Sequence, residues 1–121
     1  MADWTLKVRD GPRIERTRFP DLDKALRALD RRLDELEPTA HREDVQLFKR
    51  TIDASRLVSA RFEISGPGRI VPAFRGGIDL RGDGSAEAFT GRSRRTLIVQ
   101  GKRESPTQAL RRVAIAAVDK D

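Results

Sequence analysis

Leu22, Ala25, Leu26, Leu29, Leu33 and Leu36 recur at helical spacing and form one continuous apolar stripe. Asp23, Lys24, Arg27, Asp30, Arg31, Asp34 and Glu35 fill the other face. Pro20 and Asp21 stand just before the stripe, where Asp21 can cap the free amides of a helix start, and Pro38 predicts the end. A helix with a single apolar face has to bury it against another layer. The rest of the chain decides what that layer is.

On both sides of the stripe the period changes from helical to alternating. Trp4, Leu6 and Val8 alternate with Thr5, Lys7 and Arg9, the pattern of a half-buried strand. Asp10-Gly11-Pro12 predicts a turn, and Arg13 to Phe19 a returning strand with Arg and Glu on its solvated side. Glu37 to Asp44 reads as a polar linker, followed by an optional strand over Val45 to Ile52. Val58, Ala60, Phe62 and Ile64 alternate cleanly with Ser59, Arg61, Glu63 and Ser65. Residues 66–77 read as a Gly/Pro-rich loop. Ile78 to Arg81 and Ala86 to Thr90 flank Gly82-Asp83-Gly84-Ser85, a hairpin signal. Thr96 to Gln100 reads as the next strand. Ser105 and Pro106 then open a helix whose buried face is Ala109, Leu110, Val113, Ala114, Ala117 and Val118.

The order is β-β-α-(β)-β-β-β-β-α. Hairpins dominate and no β-α-β alternation occurs, so the expected fold is a single α+β domain over residues 1–121. Its two layers are a mainly antiparallel sheet and two amphipathic helices on one face. A chain of 121 residues is one domain's worth.

Composition removes several chemistries. The chain has no Cys and one His, which excludes a disulfide scaffold, a thiol nucleophile, and a Cys-based or His-pair metal centre made by one chain. His41 lies in the polar stretch, where a solvated ring is the ordinary reading. No run reaches the roughly 18 to 20 apolar residues of a membrane span, and Met1 to Asp10 does not read as a signal peptide. A cytoplasmic protein with no membrane role, no metal and no cofactor is expected. Gly66-Pro67-Gly68 lacks the spacing and the following helix of a phosphate-binding loop. Asp79, Asp83 and Glu87 are the carboxylates closest to an acid/base pair, but the turn explains Asp83 and the outward hairpin face explains the other two. Arg81-Gly82-Asp83 spells an adhesion tripeptide without a secretion signal to give it meaning. A non-catalytic protein is expected.

Charge carries the remaining hint. Lys and Arg number 25 against 19 Asp and Glu, a net +6, which favours an anionic partner such as nucleic acid or an acidic protein. The Arg bias is also what a high-GC genome writes into any surface. The excess is local, however. Residues 1–60 are nearly balanced, whereas Arg92, Arg94, Arg95, Lys102, Arg103, Arg111 and Arg112 face only Glu104. With few aromatics and no Tyr, such a cluster predicts contacts to phosphates over base reading. A second candidate surface is the loop carrying Ile70, Val71 and Phe74. These side chains either close over the core, the favoured reading, or form a protein-interaction patch beside an exposed strand edge, in a monomer or a homodimer.

From Leu22 to Val118, the order helix, three strands, helix is similar to a double-stranded-RNA-binding domain, with Lys102-Arg103 before the last helix. That family carries a Lys run where this chain has Pro106-Thr107-Gln108. Ile78 to Val118, with Ser105-Pro106-Thr107-Gln108-Ala109-Leu110, resembles the sheet-and-helix half of HicB-type antitoxins. The opening Trp4-Thr5-Leu6-Lys7-Val8-Arg9 hairpin is similar to the small DNA-binding sheets of phage integrase arms. As a whole the chain resembles small proteins of high-GC bacteria, which implies no function.

Overall fold

The computed structural model describes residues 3–48, 58–68, 71–91 and 94–119. Six strands form one antiparallel sheet: β1 (Trp4–Asp10), β2 (Arg13–Phe19), β3 (Val58–Gly66), β4 (Phe74–Arg81), β5 (Ala86–Thr90) and β6 (Thr96–Leu97). Their order across the sheet is β2-β1-β3-β4-β5-β6. Helices α1 (Leu22–Phe48) and α2 (Pro106–Asp119) complete the α+β fold.

The alternation read from the sequence becomes one buried face. Trp4, Leu6 and Val8 stand beside Ala60, Phe62, Ile64, Ile78, Leu80 and Ala88, in register across four strands. Ala25, Leu26 and Leu29 of α1, with Leu110 and Ala114 of α2, pack on this same face. Both helices therefore cover one side of the sheet, and no layer among the described residues lies over the other side.

Local chemistry sets the element ends. Asp21 caps α1 by accepting the Lys24 N–H at 2.8 Å. Ser105 and Gln108 form a reciprocal capping box at α2: the Gln108 N–H donates to Ser105 Oγ and the Ser105 N–H to Gln108 Oε1. Gly11, with φ 59, supplies the positive dihedral of the tight β1–β2 turn. Asp83 accepts both the N–H and the hydroxyl of Ser85, which fixes the β4–β5 turn.

Three boundaries differ from expectation. Pro38 does not end α1, which runs to Phe48, so the stretch read as a polar linker is helical backbone. A proline removes one helical hydrogen bond and crowds the preceding turn, a cost that the helix-forming residues around it outweigh. The residues that follow, Ala40, Arg42, Glu43, Gln46 and Leu47 among them, favour helix. The optional strand over Val45 to Ile52 is thereby displaced: residues 45–48 belong to α1, and 49–52 lie outside the described residues. Finally, β4 begins at Phe74 instead of Ile78. The Gly76-Gly77 pair, read as loop, lies in mid-strand because neighbours approach too closely for a Cβ. The Phe74 ring and the Phe89 carbonyl crowd Gly76, and the Phe62 carbonyl and Phe89 ring crowd Gly77. The strand expected over Thr96 to Gln100 is shortened to Thr96–Leu97, with one further hydrogen bond to β5 from the Ile98 N–H to the Ala88 carbonyl.

Candidate nucleic-acid interface

The uncovered face of the sheet carries the odd-numbered residues of β1, β3, β4 and β5. The pairing registers arrange them in transverse rows. One row runs Arg18, Thr5, Ser65, Arg75 across β2, β1, β3 and β4. The next runs Arg16, Lys7, Glu63, Gly77, Phe89, Leu97. A third runs Ile14, Arg9, Arg61, Asp79, Glu87.

These rows divide into two halves of different character. Toward β5, the charges neutralise one another. Arg61 donates to Asp79 through Nε (2.6 Å) and Nη2 (3.2 Å), a bidentate pair of which the aspartate is nearly buried. Arg81 pairs with Glu87, and Arg95 reaches Glu63 at 3.9 Å. The Phe89 ring is buried among them, with the Arg95 guanidinium 4.9 Å and the Arg61 guanidinium 5.9 Å from its centroid. Of the three carboxylates weighed from the sequence, Asp79 and Glu87 are thus held by arginines and Asp83 by its turn.

Toward β2 the charges are not neutralised. Lys7, Arg9, Arg16, Arg18 and Arg75 make no ion pair among the described residues. Arg9, Arg16 and Arg18 are exposed, and Lys7 and Arg75 half-buried. Between Lys7, Arg16, Arg18 and Arg75 lies a depression of about 470 Å³ whose lining also includes Thr5, Ser65 and Glu63. Adjacent strands lie about 4.8 Å apart, so the cations of the first row stand roughly 14 Å apart with hydroxyl residues between.

The cluster expected over 92–112 is split by the fold. Arg92 lies outside the described residues. Arg95 belongs to the sheet face, stacked on Phe89, and Arg94 is exposed beside it. Lys102, Arg103, Arg111 and Arg112 border a separate depression at the start of α2. There, Arg111 is held by Asp23 of α1 (2.8 Å), and Arg112 by both oxygens of Glu104 (3.0 Å each) and by the Val99 carbonyl. Only Lys102 and Arg103 of that group carry unneutralised charge among the described residues. Sequence reading missed the sheet-face set because its members come from three separate segments. Period-two alternation marks Lys7 and Arg9 as outward, whereas Arg75 falls in the stretch read as loop, and only the register makes them all neighbours.

The loop candidates also separate. Phe74 is a core residue, 4% exposed with its ring 6.4 Å from that of Trp4, which corrects its place in an interaction patch. As the first residue of β4 it shares the covered face with Ile78 and Leu80. Val71 is 75% exposed, and Ile70 lies outside the described residues.

The Arg112 contact gives Glu104 a pH signature. Hydrogen bonding from Arg112, and secondarily from the Gly101 N–H, holds the Glu104 carboxyl below its ordinary value of 4.5. A depressed folded value means that this contribution to stability is present above the ordinary value and is lost as pH falls through the folded one. In an NMR titration, Arg112→Gln is expected to move the Glu104 midpoint upward. An unmoved midpoint would remove Arg112 as the cause.

Among the described residues, no group of His, Cys, Asp or Glu is placed to hold a metal ion, and no helix is long and apolar enough to cross a membrane. The chain matches no family model, no curated protein and no solved structure.

Proposed function

We propose that the protein is a cytoplasmic, non-catalytic binding module that holds the phosphate backbone of a nucleic-acid duplex against its uncovered sheet face. The observation that carries this reading is the set Lys7, Arg9, Arg16, Arg18 and Arg75, without ion pairs among the described residues and gathered on one face while neighbouring arginines are matched to acids. Cations that already have carboxylate partners gain little from a phosphate, whereas unpaired ones release the phosphate's counterions. Thr5 and Ser65 add short hydroxyl donors between the two arginines of the first row. Phe89, the ring on this face, is roofed by guanidinium groups, so the face offers no platform for stacking an unpaired base. Phosphate positioning without base reading follows.

The test is a titration of labelled duplex DNA, duplex RNA and single-stranded DNA between about 50 and 300 mM salt. Duplexes are expected to bind more tightly than single strands. With three phosphate contacts, affinity for duplex DNA falls about 40-fold between 50 and 200 mM salt. Arg16→Glu, Arg18→Glu and Arg75→Glu together abolish binding, and Lys102→Glu with Arg103→Glu leaves it nearly intact. Equal losses from both sets, or weak binding to all three probes with no preference, would refute the assignment.

A further inference from the structure

Beyond that face, we infer that the outer edge of β6 accepts an extended acidic peptide as an added strand. Ile98 donates its N–H to the Ala88 carbonyl at 2.9 Å. In an antiparallel ladder the main-chain groups of the two flanking residues then point away from the sheet. The Leu97 N–H and C=O and the Val99 N–H are therefore turned outward with no strand beyond them among the described residues, because β6 is the last strand of the described sheet. Arg112 occupies the Val99 carbonyl and steadies the segment from α2.

This edge lacks the protection found at the opposite one. At β2, charged side chains (Arg13, Glu15, Arg16 and Arg18) discourage strand addition. Residues 96–100, Thr-Leu-Ile-Val-Gln, are uncharged and strongly β-forming. Leu97, opposite Phe89 on the uncovered side, is 61% exposed, and Val99 is 85% exposed.

Charge selects the occupant. Arg94 stands before the apolar run and Lys102 with Arg103 after it, all exposed and without ion pairs among the described residues. A second copy is disfavoured: the antiparallel register that sets Leu97 opposite Val99 also sets Arg94 opposite Lys102, and like charges directly across strands repel. A strand of alternating apolar residues with acidic ends matches both features, taking affinity from main-chain bonds and selectivity from its ends.

The test uses the peptide Glu-Glu-Thr-Val-Thr-Val-Thr-Val-Glu-Glu and its counterpart with every Glu replaced by Lys, titrated into the full chain by calorimetry. The acidic peptide is expected to bind and the basic one not. Hydrogen exchange at the Leu97 and Val99 amides should slow on binding. Val99→Pro, which removes an outward donor while leaving the Ile98–Ala88 bond, lowers affinity at least about tenfold. Arg94→Glu with Lys102→Glu does the same, whereas the Arg16, Arg18 and Arg75 reversals leave the peptide's affinity unchanged and so separate this edge from the nucleic-acid face. Undetectable binding of the acidic peptide, equal binding of the basic one, unslowed exchange at both amides, or a dimer that Val99→Pro dissociates would overturn the assignment.

Discussion

Gly77→Ala is expected to lower the free energy of unfolding by about 3 kcal/mol, at the upper end of what one added methyl group costs a packed interior. The new Cβ would meet the carbonyl oxygen of Phe62 and the edge of the Phe89 ring. The first of these is main chain in the adjacent strand and cannot swing aside. Two effects oppose each other at any glycine-to-alanine change, since the unfolded chain loses freedom and so favours the folded state by about 0.4–1 kcal/mol. Here the clash outweighs that gain. Gly101→Ala is the matched control: its nearest neighbour is the Glu104 carboxylate at 3.6 Å, ordinary contact distance. Urea midpoints for the two variants decide the matter. A Gly77→Ala protein as stable as the parent would mean that β3 and β4 do not approach as described.

Asp79→Ala is the second large effect. It leaves Arg61 with an aromatic ring but no counter-charge on a partly desolvated site, and breaking such a pair is expected to cost about 2–3 kcal/mol, somewhat below a fully buried pair because Arg61 retains water. Replacing both partners with leucine should restore part of the loss, since the penalty lies in the orphaned charge more than in the missing attraction. Asp23→Ala, which breaks the exposed Arg111 pair on the helix side, is expected to leave stability unchanged within error. The comparison is made by double-mutant cycles in low and high salt. If the double leucine variant were no more stable than Asp79→Ala, the pair would be acting through something other than its charge.

Much of the fold is legible where the signal is local. The Asp21 cap, the Ser105 to Gln108 capping box and the alternation of Val58 to Ile64 each depend on residues within a few positions of one another, and each element starts where those residues place it. The signal fails where distant backbone decides. Gly76-Gly77 looks like loop until Phe62 and Phe89 are brought beside it. Pro38 looks like a terminator, yet it is one unfavourable residue set against a long run of helix formers. For the surface, charge counting located a local excess but not its neutralisation: Asp23 is 88 positions from Arg111, and nothing in their spacing forecasts the pair. Likewise Arg18 and Arg75 share a row only because β1 and β3 lie between their strands.

The position of Trp4 has a practical consequence. It is the sole tryptophan, the chain has no tyrosine, and its ring is buried beneath the helices beside Phe74. Intrinsic emission therefore comes from one chromophore with its back to the open face. A ligand settling among Lys7, Arg16 and Arg18 is separated from the indole by the thickness of the sheet, so occupancy alone leaves the spectrum in place. A red shift would instead announce water entering the interior, which gives the molecule an internal gauge of unfolding independent of what is bound outside.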